Sequence, residues 1–582
     1  MSKVLKGATI LALAGLVAKI IGVLYRIPLT NIIGSGGIGL YQMIFPLYVV
    51  LLTISSGGLP VAISKVVASR VASGDEAGAK KVLRVSLVSL SSIGIVAAVL
   101  LFTLSRTIAT LQGNELATLG YKAIAPAIVL VAVIACFRGY FQGKQNMLPS
   151  AISQIVEQVF KLGVGLLLAF LLLPRGVEYA VFGALIGVSV SEVFALLALW
   201  LQYIVVNKKA TKKLRGSGQL AQKHQQSSCN LDAKRSTIKY YSTGKNLTAL
   251  KSENAADAVL PPLVVSAKKE KTYSILKEIY RIAIPVTLGS LVLPLTGLID
   301  SIVVINLLTG LGMGTDAATS AFGLLTGPVG TLINMPAVIT LAFAVALLPR
   351  VAECKAKGEC AGSATDQAFK FSFIIGLLST MFFALFASPV LTLLYSGGLS
   401  ASEIELASRL LIIGSVSIIY VSILQVASSV LQGVGKAHIP AINLLVGACV
   451  KVALTLLLLL RLGIMGAMLA TVACFSIVCT LNIIAVRRHA KVNLKVKEFL
   501  LVPLLAATAF GGIAYLLNWL LANRLHYLAV AAISFSLALA AFLTIIFALK
   551  AIDLKELKKI KIFRKFFRKC QDKELINNSQ KD

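Results

Sequence analysis

Within ISQIVEQVFKLG, residues 152–163, Gln154, Glu157, Gln158 and Lys161 fall at i, i+3, i+4 and i+7, one face of a helix. The segment belongs to an apolar run long enough to cross a bilayer, where a charged side chain costs roughly 2.5–3.5 kcal/mol. Lys19, Arg26 and Lys451 lie in comparable runs. If Lys19, Glu157, Lys161 and Lys451 all faced lipid, the cost would be on the order of 10 kcal/mol. An i,i+4 pair between Glu157 and Lys161 returns only about 0.3–0.5 kcal/mol on an exposed helix. A hydrated cavity that receives these groups is the simpler solution. Four cations in one cavity (Lys19, Arg26, Lys161 and Lys451) suit an anionic ligand, most simply a phosphate or pyrophosphate. For each of them the competing reading is snorkelling to the interface or a structural bond to backbone carbonyls.

The carboxylates inside apolar runs are Glu157, Glu192 and Asp300. Each can take a proton or a sodium ion, so they are the candidates for ion coupling, with helix packing as the alternative. Gln154 and Gln158 extend the polar face around Glu157. No organic cofactor or metal is implied; a sodium or proton gradient, or the membrane potential, is the expected driving force. Enzyme signatures are lacking. QGVGKA, residues 432–437, has neither the P-loop spacing nor a preceding strand, and no Ser/His/Asp constellation is present. The eight cysteines are scattered without a CxxC pair, which argues against a zinc site or a disulfide framework.

The elements that position these residues are apolar helices. The chain is 57% hydrophobic and only 14% charged, with a mean hydropathy of +0.87, whereas a soluble domain carries about 25% charged residues. Fourteen spans are expected: 7–29, 38–60, 82–104, 119–141, 149–173 and 179–205, then 276–306, 320–348, 368–395, 405–432, 439–461 and 464–486, and finally 499–521 and 527–549. The first is read as an uncleaved span rather than a signal peptide. The net charge of +32 does not indicate nucleic acid, because lysine and arginine concentrate in alternate loops and at both ends. That pattern places both termini in the cytoplasm.

A repeat relates the halves. FQGKQNMLPSAISQIVEQVFK ends at Lys161 and LQGVGKAHIPAINLLVGACVK ends at Lys451, with a Gln nineteen residues earlier in each (Gln142 and Gln432). Each unit holds six spans, an even number, so the two share one orientation and face each other across a central site. The organisation is therefore an all-α polytopic membrane protein with an N-lobe at 1–205 and a C-lobe at 274–490. A basic linker, 206–273, reads as disordered. A helix pair occupies 491–550, and a basic amphipathic tail, 551–582, is expected to lie against anionic lipid.

LKGATILALAGLVAKIIGVLYRIPLTNIIGSGGIGLYQMIFPLY, followed by GLPVAISKVVASRVASGD, resembles the polysaccharide-transporter and lipid-flippase branch of the MOP (multidrug/oligosaccharidyl-lipid/polysaccharide) superfamily. Within it the likeness is to stage V sporulation protein B and MurJ-like lipid II flippases. The resemblance implies two lobes around a cavity, alternating access in a bacterial plasma membrane, and a groove for a lipid tail at the last two spans. It also implies a lipid-linked oligosaccharide as substrate and cavity cations on the first span, where Lys19, Gly22 and Arg26 stand here. A cation-coupled drug exporter of the same fold is the runner-up. A non-transporting scaffold that recruits cell-wall synthesis enzymes is the second alternative.

Overall fold

The computed structural model describes residues 3–238, 272–356, 362–490, 496–521 and 526–549. Among them the chain is helical almost throughout, as it must be where lipid offers no partner for backbone N–H and C=O groups. The N-lobe comprises α1 (Lys3–Ser56), α2 (Leu59–Ala72), α3 (Glu76–Thr103), α4 (Ser105–Leu111), α5 (Ala117–Gly143), α6 (Leu148–Leu172) and α7 (Val177–Ile238). The C-lobe comprises α8 (Thr272–Gly310), α9 (Thr315–Leu324), α10 (Gly330–Ala356), α11 (Gly362–Tyr395), α12 (Ala401–Gly433), α13 (His438–Leu462) and α14 (Ile464–Ala490). The last pair is α15 (Val496–Leu521) and α16 (Tyr527–Ala548).

Thirteen helical stretches among the described residues are long and apolar enough to cross a membrane. The first, Ile10–Ala72, is far too long for one crossing, and it breaks at Gly34, whose φ of 68° lies in the left-handed region. Lys161 shows that the chain folds back there. Its Nζ stands 5.4 Å from the ring centre of Tyr25, before the break, and 5.1 Å from that of Phe45, after it. Counted as two arms, α1 brings the candidate crossings among the described residues to fourteen, consistent with the number expected. The loop expected at 30–37 shrinks to this one residue, because helix on either side keeps the backbone satisfied.

The repeat is visible in the packing. Helix α6 packs on α1 and α7, and α13 packs on α8 and α14. Helix α5 packs on α2, α3 and α7, and α12 packs on α10, α11 and α14. The pair α15 and α16 lies outside this pattern and docks on α11. A cluster of rings, Phe382, Phe386, Phe510, Phe535 and Phe542, fills that joint.

Helix ends follow local chemistry. The Asp75 carboxylate caps α3 by accepting from the Gly78 N–H at 2.6 Å. Ser400 and Glu403 form a capping box on α12. Lys144, just past α5, donates to Glu76 at 2.7 Å. Burial alone would weaken the Lys144 ammonium, but the Glu76 carboxylate and the Tyr140 hydroxyl raise its pKa above the ordinary value. One expectation changes: the segment read as a disordered linker from 206 is helical through Ile238. Its Lys, Gln, Ala and Leu content favours helix over coil, and it has no proline. The remainder of the linker, 239–271, and the expected interfacial tail, 551–582, lie outside the described residues.

The lobes touch at both ends. At the Gly34 end, α1 and α9 meet backbone to backbone: a Cβ on Gly39 would lie 2.1 Å from the Thr319 carbonyl oxygen. Asn31 donates to the Leu394 carbonyl at 2.7 Å, Asn114 to Thr319 at 2.9 Å and Gln112 to Ser301 at 3.0 Å, while Ser35 bonds Glu403. At the opposite end the first turns of α8 bury Ile275, Ile279 and Ala283 among N-lobe residues. There Arg70 pairs with Glu278 at 3.5 Å. The site lies between these two closures.

Candidate functional site

Lys19, Gly22, Val23 and Arg26 recur at i, i+3, i+4 and i+7 and so share one face of the first arm of α1. That face lines a cavity of about 280 Å³. Lys161 of α6 enters from the same lobe. The opposite wall comes from the C-lobe. Thr331, Asn334, Val338 and Leu341, again on one helical face, project from α10, and Gln425 projects from α12. A π-helical turn with Pro328, Leu325–Val329, immediately precedes this part of α10; such turns mark functional sites more often than chance. Arg26 Nη1 reaches across the cavity to Thr331 Oγ1 at 3.5 Å, a long and weak hydrogen bond.

Three of the four expected cations thus converge, and among the described residues none of the three has a carboxylate within ion-pair distance. Lys161 lies over the rings of Tyr25 and Phe45, which attract the ammonium but leave its charge uncancelled. The cavity walls therefore carry three formal positive charges and no negative one.

Lys451 is elsewhere. Its ammonium pairs with the Asp300 carboxylate, and both side chains are largely buried at 13% and 15% exposure. Lys451 is therefore not a lining group of this cavity, and Asp300 is a counter-ion. Cys474 lies close to this pair. Asn443, eight residues before Lys451 on α13, donates to Asn482 at 2.9 Å.

The polar face of α6 divides among several partners instead of opening on the cavity as a whole. Glu157 does not pair with Lys161. It accepts from Arg138 Nη2 at 2.9 Å and from Gln158 Nε2 at 2.9 Å. Arg138 also donates to Ser153 at 3.0 Å. A guanidinium reaching from α5 offers a forked donor that a lysine one turn away on the same helix cannot match. Gln154 and Gln158 face the glycines of α1: their Oε1 atoms would stand 3.9 and 3.4 Å from a Cβ at Gly15 and Gly22. The Gln154 Oε1 is buried and has no hydrogen-bond partner among the described residues. Glu192, 5% exposed, lies within Coulombic range of Glu157, Arg138 and Lys161.

Sequence reasoning passed over Arg138, although its charge inside the expected span 119–141 was the available signal. Thr331, Asn334 and Gln425 gave no comparable signal, because neutral polar residues are common in membrane helices.

Two family models match the chain: "Polysaccharide biosynthesis protein" over residues 4–243 and "Lipid II flippase MurJ" over residues 263–536. Stage V sporulation protein B of Bacillus subtilis is 30% identical over 502 residues, covering 85% of this chain and 86% of that protein. Lipid II flippase MurJ of the same organism is 25% identical over 545 residues, covering 90% of each. Among solved structures, lipid II flippase MurJ in an inward closed conformation superposes with a TM-score of 0.65 at 12% identity, over 92% of this chain and 98% of that one. An inward-facing multidrug resistance MATE transporter of the MOP superfamily gives 0.56 at 15% identity, over 81% and 94%. At these identities the structural likeness establishes the fold.

Proposed function

This chain belongs to the flippase family of stage V sporulation protein B and MurJ, in the MOP superfamily, and we propose that it carries a polyprenyl-pyrophosphate-linked oligosaccharide across a bacterial plasma membrane. Lipid II, the substrate in the name of the MurJ relative, is the specific precursor we favour. One observation carries the reading: Lys19, Arg26 and Lys161 line one cavity between the lobes with no carboxylate among them. A pyrophosphate supplies the missing negative charge. The saccharide follows it into the polar cavity while the prenyl chain stays in the hydrocarbon, so neither part has to cross the phase it avoids. Rocking of the lobes opens the cavity to one side and then to the other. With both termini cytoplasmic, as the loop charges support, the Gly34 end faces outward and its hydrogen bonds are the ones that must open for release.

Of the three carboxylates weighed for ion coupling, Asp300 and Glu157 are held in ion pairs. Glu192, buried within electrostatic reach of Lys161, is the remaining candidate for a proton. A drug exporter of MATE type would take cationic substrates, and the positive cavity disfavours them.

The test is transbilayer movement of a fluorescent polyprenyl-pyrophosphate-linked disaccharide in proteoliposomes. Wild type is expected to flip it, with Lys19→Ala and Arg26→Ala each about tenfold or more slower, since a hydrogen bond to a charged group is worth about 1.5–3 kcal/mol. Equal rates in all three proteins would sink the reading.

A further inference from the structure

The two walls of the cavity differ in chemistry. The N-lobe wall presents Lys19, Arg26 and Lys161, whereas the C-lobe wall presents Thr331, Asn334 and Gln425 and no charged side chain. Hydrogen bonds within the C-lobe wall fix what remains available. Asn334 Nδ2 donates to the Gly330 carbonyl at 2.7 Å, which sets the amide so that, among the described residues, Oδ1 and the second N–H are free. Gln425 bonds the Thr340 hydroxyl at 3.0 Å through one end of its amide. An amide nitrogen carries two hydrogens, so whichever end faces Thr340, at least one Gln425 N–H remains unpartnered. The wall therefore offers an acceptor and a donor with no net charge. That combination fits a group that both donates and accepts, such as a sugar hydroxyl or a secondary amide. An ionised phosphate could use only the donors and would leave the Asn334 Oδ1 without a partner, so it fits this wall less well.

We infer that Asn334 and Gln425 are specificity-determining residues that recognise the sugar attached directly to the pyrophosphate, a hydroxyl- or acylamino-bearing pyranose. This rests on the reading above that the cationic wall holds the pyrophosphate. Size agrees: ligand pockets for drug-sized molecules run from about 300 Å³ upward, so a cavity of about 280 Å³ takes a pyrophosphate and roughly one sugar ring. Later sugars and substituents extend out of it and are read less closely. The arrangement also has a mechanical consequence. The phosphate is held by the N-lobe and the sugar by the C-lobe, so a complete substrate bridges the two bodies that must rock, and a bare polyprenyl pyrophosphate engages only one.

The experiment compares two probes in detergent: a short-chain polyprenyl pyrophosphate, and the same lipid carrying one N-acetylated hexosamine on its phosphate. Affinities are measured for wild type, for N334L/Q425M, which keeps side-chain volume while removing the amides, and for K19M/R26M. Wild type is expected to prefer the glycosylated probe by about tenfold. In N334L/Q425M the preference falls to within about twofold. In K19M/R26M both affinities drop by about tenfold or more and the preference survives. The single variants N334L and Q425M give intermediate preferences and keep the test readable if the double variant does not fold. A full preference in N334L/Q425M, or no preference in wild type, overturns the inference while leaving the pyrophosphate site standing. A wild-type protein that binds neither probe removes the pyrophosphate reading and this inference with it.

Discussion

Helices α6 and α13 each run 25 residues, and each carries a lysine thirteen positions after its first residue: Lys161 after Leu148, and Lys451 after His438. Each lysine reaches the helix packed beside it. Helix α1 meets Lys161 with the ring faces of Tyr25 and Phe45, and α8 meets Lys451 with the carboxylate of Asp300. A ring steadies an ammonium without cancelling it, whereas a carboxylate removes the charge from the field of the site. The difference in partners leaves a repeated position charged at the cavity in one lobe and neutralised in a buried pair in the other. It leaves the protein with a cationic wall facing a neutral one.

The largest expected effect lies in the C-lobe. Asp300→Leu leaves Lys451 charged and unpaired in a largely buried place, which should cost about 3–5 kcal/mol. Unfolding in detergent should show this loss, and adding Lys451→Met should restore most of it. If Asp300→Leu left stability intact, the pair would not be the reason Lys451 is absent from the cavity.

Next comes Arg138→Met in the N-lobe. It strands Glu157 beside Glu192, with side chains that are only partly exposed, and should destabilise by about 2–3 kcal/mol, discounted from the fully buried case for solvent access. Glu157→Gln should cost less, because the Arg138 guanidinium keeps Ser153 and gains an uncharged acceptor. Equal losses from the two variants would mean that Arg138 does not serve to neutralise this corner of the lobe.

A smaller effect is expected from Phe45→Leu, which removes one of the two rings beneath Lys161 while keeping an apolar side chain. The cation–π contribution lost is about 0.5–1 kcal/mol, and it should appear as a weaker grip on the pyrophosphate probe of roughly twofold to fivefold. The smallest belongs to the exposed pair Arg409–Glu405, at 2.6 Å with side chains 67% and 65% exposed. Glu405→Gln should change stability by no more than about 0.5 kcal/mol, setting the baseline for the other three.

The contrast between lobes also explains what could be read from the sequence. The spans were legible because hydrocarbon forces long apolar runs, and the repeat was legible through LPSAISQ and HIPAINL with their following lysines. Charged residues stood out because their cost in lipid demands a reason. What those charges do was less accessible. Asp300 is 151 residues from Lys451 along the chain, and only the packing of α8 on α13 brings them together. Glu157 and Lys161 lay one helical turn apart and looked like a pair, yet Arg138 from α5 takes the carboxylate. The return of the chain at Gly34 was visible as a glycine-rich stretch, but not as a single residue between two helical arms. Thr331, Asn334 and Gln425 were invisible for the opposite reason to the lysines: a neutral polar side chain needs no special explanation in a helix. The course of α7 to Ile238 was missed because a polar, lysine-rich composition was weighed for its low hydrophobicity, when its helix propensity also counted.

The central claim is that the N-lobe lysine belongs to the substrate site and its C-lobe counterpart does not. Transbilayer flipping of a polyprenyl-pyrophosphate-linked probe in proteoliposomes addresses it directly, with Lys161→Met compared against the charge-neutral double variant Asp300→Leu/Lys451→Met. The account predicts that Lys161→Met slows flipping about tenfold or more, while the double variant flips within about twofold of wild type. Equal losses in the two proteins, or full activity in Lys161→Met, would contradict it.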